Sequence, residues 1–263
     1  MNRIDSKFKE LKESKKKAFI AFITAGFPSL DITKKLIIAF DKIGVDIIEF
    51  GVPFSDPIAD GAVIQEASCQ ALKNKVRLKN ILEMVKGLRR KVSLPICLMT
   101  YYNPIFCFGD NKFIAEAIKS GVDGVIIPDL PPEEAKYFTK DCIKFGLKNI
   151  CFISTTTSEK RIRLIASKAK GFIYYVSLTG VTGMRKKLPL DLKRNIKTIK
   201  KYTDKPVCVG FGLSNALQVK DAAKISDGVI VGSAIVKKIR EYQSSVDFVR
   251  QLTNFTNYLK SNV

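Results

Sequence analysis

The stretch Asp46-Ile47-Ile48-Glu49-Phe50-Gly51-Val52-Pro53-Phe54-Ser55-Asp56-Pro57-Ile58-Ala59-Asp60-Gly61 decides how this chain is read. Its first half carries Ile47, Ile48, Phe50 and Val52, a short apolar run of the kind that forms a strand covered on both faces. Its second half is rich in proline, aspartate and glycine and reads as a loop. A covered strand leading into such a loop is the opening of a parallel βα unit. Glu49 stands inside the strand, where a carboxylate needs a partner or a purpose. A paired lysine at the end of the sheet is the structural alternative to a chemical role. Asp60 follows in the loop, where Asp-Gly is also ordinary turn chemistry.

Runs of the same kind recur at residues 19–26, 46–53, 95–101, 124–128, 149–154, 171–178, 206–211 and 228–232. Helical stretches lie between them. Ser29 or Asp31 opens one that stops near Gly44, Asp110 opens one that stops at Gly121, and Ser158 opens one that ends before Gly171. The longer interval from Val45 to Pro95 holds the loop and two helices, starting near Val63 and near Leu78. Eight βα units in 263 residues fit an α/β fold of the closed (β/α)8 TIM-barrel type, one domain over residues 1–263. A doubly wound open sheet is the alternative, because periodicity does not show closure. Ile4, Phe8 and Leu11 add an amphipathic extra helix at the amino terminus. No flexible linker, low-complexity tract or repeat interrupts the pattern.

Composition narrows the function classes. The formal charge is +20, which raises nucleic-acid binding as a possibility. The lysines are spread through nearly every helix, however, and the densest runs, Lys15-Lys16-Lys17 and Arg89-Arg90-Lys91, fit solvated helix ends. No basic aromatic cluster or recognised nucleic-acid module accompanies them. No apolar run reaches the roughly 18 residues of a membrane span, and residues 1–17 mix acids with lysines instead of forming a signal core. Cys69, Cys97, Cys107, Cys142, Cys151 and Cys208 form no CxxC pair and read as reduced core residues of a cytoplasmic protein.

The chain contains no histidine, so proton transfer near neutral pH falls to other side chains. A buried Glu tuned upward by desolvation is a good candidate. Glycines cluster late: Gly180-Val181-Thr182-Gly183 after the sixth run, Gly210-Phe211-Gly212 at the seventh, and Gly232-Ser233 at the eighth. Backbone N–H groups there, with a helix amino terminus, suit a phosphate in a barrel of this kind. No complete GxGxxG or Walker motif is present, which disfavours a dinucleotide or ATP.

The segments IEFGVPFSDPIADG, LMTYYNP, GVIIPDLPPEE, YYVSLTGVTGMR, VGFGLS and DGVIVGSAIV resemble, in order and spacing, the signatures of the tryptophan synthase α subunit. The resemblance spans residues 19 to about 240. It implies a carbon–carbon lyase that cleaves indole-3-glycerol phosphate to indole and glyceraldehyde 3-phosphate. It also implies no cofactor in this subunit, and indole passing to a β subunit that uses pyridoxal phosphate, in an αββα assembly.

By that resemblance Glu49 and Asp60 are the catalytic pair. Gly183, Phe211, Gly212, Gly232 and Ser233 hold the phosphate, and Phe22, Tyr101, Tyr174 and Phe211 wall the indole and its glycerol chain. Thr182 sits on the loop after the sixth strand, placed to bond Asp60 as that loop closes. Residues Pro53 to Asp60 and Pro128 to Pro132 face the β subunit. Ala62 and Ser154 depart from the family pattern, each standing where proline is common, and are expected to change loop stiffness. A relative on the same fold, such as a phosphosugar epimerase or the preceding synthase of the indole pathway, remains open. So does a non-catalytic barrel kept to activate or plug a β subunit.

Overall fold

The computed structural model describes residues 1–176, 191–210 and 212–263. Eight parallel strands, β1 (Ala18–Thr24), β2 (Ile47–Gly51), β3 (Ile96–Met99), β4 (Gly124–Ile126), β5 (Lys148–Ser154), β6 (Ile173–Val176), β7 (Val207–Gly210) and β8 (Gly228–Val231), pair in sequence order. The ring closes where Ala18 to Ala21 of β1 lie beside Gly228 to Val231 of β8. That closure excludes the open sheet. The strands are buried on both faces because side chains fill the interior and helices cover the outside.

Twelve helices occur among the described residues: α1 (Arg3–Glu13), α2 (Leu30–Lys42), α3 (Ala62–Lys73), α4 (Leu78–Leu88), α5 (Tyr102–Phe108), α6 (Asp110–Ser120), α7 (Lys136–Phe145), α8 (Glu159–Lys168), α9 (Leu192–Lys200), α10 (Ala216–Ala223), α11 (Ser233–Tyr242) and α12 (Phe248–Lys260). Ser29 caps α2 by accepting from the Ile32 N–H. Gly121 ends α6 in the left-handed conformation, as a carboxyl-terminal glycine does. Ser158 stands at the cap of α8 without a side-chain bond to it. Helix α5 has no counterpart in the sequence reading, because Asn103-Pro104 resembles a turn. The proline falls in the first helical turn, where the missing N–H costs nothing.

The amino-terminal helix seals the floor of the barrel. Its buried face is Ile4, Phe8 and Leu11. A Cβ on Gly124 would fall 2.9 Å from the Ile4 side chain and 2.7 Å from that of Ile150, so the glycine makes room for the plug. Asn2 donates to the Asp123 and Gly146 carbonyls. At the same end three aspartates clamp neighbouring strand starts. Asp46, Asp123 and Asp227 accept the backbone N–H of Phe19, Ile96 and Val207 at 2.8, 2.9 and 2.9 Å. Asp123 also holds Arg89 at 2.6 Å.

Two cysteines correct the reading from composition. Cys97, Cys142, Cys151 and Cys208 are buried, but Cys69 and Cys107 lie on the exposed faces of α3 and α5. All six are unpaired thiols.

Candidate active site

Strand alternation decides which residues of β2 face the bore. A Cβ on Gly51 would lie 2.5 Å from the tip of the Phe22 ring, so Gly51 faces inward, and Glu49, two residues earlier, does too. The register sets Phe22 of β1 beside Glu49 and Glu49 beside Cys97 of β3. The same ring runs on to Gly232, where a Cβ would meet it at 3.2 Å. Across the bore Tyr174 lies over Gly210, whose Cβ would sit 2.4 Å from its ring. Phe152 packs on Tyr174 with centroids 4.7 Å apart. Small residues at 51, 210 and 232 therefore seat two aromatic rings near the carboxyl ends of the strands. An isolated glycine within a strand often marks such a close approach, so this signal was present in the sequence.

Glu49 is fully buried, and among the described residues neither carboxyl oxygen has a hydrogen-bond partner. No lysine or arginine pairs with it among the described residues, so the ion-pair alternative finds no support there. Loss of water pushes its pKa up to about 8, and the negative charge of Asp60 adds to the rise. Asp60 is half-buried at the end of the β2–α3 loop. Burial raises its pKa to about 6, and a hydrogen bond from the Tyr101 hydroxyl works against the rise. That hydroxyl donates to Asp60 Oδ2 at 3.1 Å and accepts from the Ala59 N–H at 2.9 Å. Two neighbouring carboxyls with separated proton affinities can divide the roles of acid and anion.

Three of the glycine-rich positions expected to hold a phosphate are described, beyond the ends of β7 and β8. Gly212 has φ +80, and a Cβ there would meet no atom of the described residues within 4 Å. Gly232 caps α11 with no side-chain bond, and Ser233 is the first helical residue. The first N–H groups of a helix lack internal partners and, with the helix dipole, favour an anion. Thr182, Gly183 and Phe211 lie outside the described residues.

The sequence reading missed several contacts. Tyr101 appeared there as a wall, yet its hydroxyl is engaged with Ala59 and Asp60 of the β2–α3 loop. Ser68 accepts the Phe54 N–H, and Asp129 accepts the Tyr102 N–H at 2.9 Å. At the first departure from the family pattern, Ala62 begins α3. At the second, the Ser154 N–H donates to Thr157 Oγ1, a bond proline would lack. No cluster of three or more His, Cys, Asp or Glu suited to a metal occurs among the described residues.

Comparison with known proteins agrees with the geometry. The family model described as tryptophan synthase alpha chain matches residues 8–263. The tryptophan synthase alpha chain of Geotalea daltonii is 46% identical over 263 residues, covering 100% of this chain and 99% of that one. That of Clostridium kluyveri is 42% identical with both chains covered in full. Among solved structures, the tryptophan synthase subunit alpha of Legionella pneumophila superposes with a TM-score of 0.92 at 35% identity, covering 100% and 98% of the two chains. The tryptophan synthase complex of Pyrococcus furiosus gives 0.85 at 38% identity, covering 93% and 98%. An eight-stranded barrel with two carboxyls at its mouth, matched along nearly its whole length, places this chain in the tryptophan synthase α-chain family.

Proposed function

We propose that Glu49 and Asp60 carry the chemistry by which this chain cleaves indole-3-glycerol phosphate, the reaction of its family. The observation that carries the reading is Glu49, a fully buried carboxyl that has no partner among the described residues and keeps its proton near neutral pH. Protonated Glu49 gives its proton to C3 of the indole, making an indolenine. Asp60, ionised above about pH 6, faces the ring nitrogen and stabilises the positive charge that develops there. Glu49, now a carboxylate, takes the proton of the glycerol hydroxyl next to the bond that breaks. The O–H electrons form the aldehyde carbonyl, the carbon–carbon bond opens, and its electrons restore the aromatic ring. One proton is given and one returned, so the enzyme ends as it began.

Gly212, Gly232 and Ser233, with Gly183 and Phe211, hold the phosphate through backbone N–H groups. Phe22, Tyr101 and Tyr174 form the apolar walls, and Thr182 closes over Asp60. The family's α chain has no cofactor of its own, and pyridoxal phosphate belongs to the β subunit with which it assembles. In our reading the whole chain acts as one barrel domain in the cytoplasm, within an αββα assembly. No helix among the described residues is long and apolar enough to cross a membrane. Pro53 to Asp60 and Pro128 to Pro132 face the β subunit, and exposed Ile58 and Phe106 give that end an apolar surface to bury.

The deciding experiment is indole release by the purified chain, with and without a β subunit, beside the Glu49→Gln variant. Release that rises with β and disappears in the variant supports the reading. No release from the parent chain in either condition would leave a phosphate-binding barrel of structural role.

A further inference from the structure

We propose that Tyr101 is a positioning residue that holds the Asp60 carboxylate in its working orientation, bracing the β2–α3 loop from β3. This deepens the catalytic reading and rests on it. Tyr101 lies two residues past Met99, where β3 ends, and is nearly fully buried although it borders a solvent-facing loop. Its ring packs on Phe54, where the loop begins, with centroids 5.2 Å apart. Its hydroxyl reaches the far end of the same loop, accepting from the Ala59 N–H and donating to Asp60 Oδ2. One side chain therefore grips both ends of a loop whose middle, Ile58, is 84% exposed. Among the described residues, the Tyr101 hydroxyl is the hydrogen-bond partner recorded for the Asp60 carboxylate.

The tyrosine is itself fixed. The Thr100 hydroxyl donates to the Tyr101 carbonyl at 3.1 Å, and the next N–H, that of Tyr102, donates to Asp129 Oδ1. Tyr102 in turn donates its hydroxyl to Asp110. These bonds set the backbone from which the ring projects, so Asp129 acts on Asp60 through Tyr101. Such support converts a loop carboxylate from a swinging group into a placed one. A donor aimed at the ionised form also favours that form.

The test is Tyr101→Phe, which keeps the ring and its packing and removes only the hydroxyl. A wall residue tolerates this change. A positioning residue does not: kcat should fall about tenfold or more while KM stays within about twofold, the pattern of a transition-state loss. The acidic limb of the pH–rate profile should move up by roughly half a unit or more as Asp60 loses its donor. Asp129→Ala should lower kcat in the same direction by a smaller factor. A carbon-13 titration of the Asp60 carboxyl in parent and variant reads the same shift without turnover. A Tyr101→Phe chain with parental kcat, acidic limb and Asp60 titration would overturn the proposal. A parent chain that releases no indole would instead sink the catalytic reading, and the carboxyl titration would then decide the brace alone, an unchanged value overturning it.

Discussion

Glu49 shows why a fully buried carboxyl is informative. Its burial opposes ionisation, so the folded protein keeps the proton through the range in which an unfolded glutamate would lose it. The pKa is raised to about 8 from the ordinary glutamate value of 4.5. The stability belonging to the neutral form is therefore full below about pH 4.5 and is lost as pH rises toward 8. Glu49→Gln, which is neutral at every pH, should be more stable than the parent at pH 8, by a few kcal/mol at most, and equal to it near pH 4. Thermal melts at the two pH values check this. The same substitution should lower indole release by at least about a thousandfold, since it removes the proposed acid. The proposed mechanism needs Glu49 protonated and Asp60 ionised, so kcat/KM should form a bell with limbs near 6 and 8. A flat profile across that window would contradict the assignment. Glu49 was legible in the sequence because a carboxylate in an apolar strand violates the burial pattern. The Tyr101 contact was not, because a hydrogen bond across 41 positions leaves no local trace.

The strands and helices were read well wherever one period ran undisturbed. All eight strands and the amino-terminal helix stand where the alternation of βα units put them, apart from their ends. Residues 127 and 128 were expected in β4 but lie beyond it, because pairing with β3 and β5 stops at Ile126. Helix α5 was hidden by its proline. The glycines that seat the aromatic rings act between elements, and substitution should expose that. Gly210→Ala would thrust a methyl to 2.4 Å from the Tyr174 ring, and Gly51→Ala to 2.5 Å from Phe22. Each should cost about 1–3 kcal/mol of stability and raise KM as the wall shifts, measured by denaturant titration and initial rates. Gly232→Ala, with its nearest contact at 3.2 Å, should be milder. Of the strand-start clamps, Asp123 is the most deeply buried, so Asp123→Ala, which strands Arg89, should cost about 3–5 kcal/mol in the same titration.

As a whole the molecule has two unlike ends. On the proposed function the end with Glu49, Asp60 and the late glycines carries the chemistry, and the end with α1 and the aspartate clamps carries stability, as is general for this fold. Ile4→Ala should therefore lower stability by about 2–5 kcal/mol and leave β-subunit affinity unchanged in a binding titration. The charge of +20 acts over the entire surface. It should make association with an acidic partner faster at low salt and slower as ionic strength rises, in stopped-flow mixing. The plug of α1 has one more consequence. A barrel stoppered by Ile4 is a cul-de-sac: nothing that enters its mouth can leave through its floor. Indole freed beside Glu49 has to depart by the end at which its parent molecule arrived, and a partner that collects it must be berthed there.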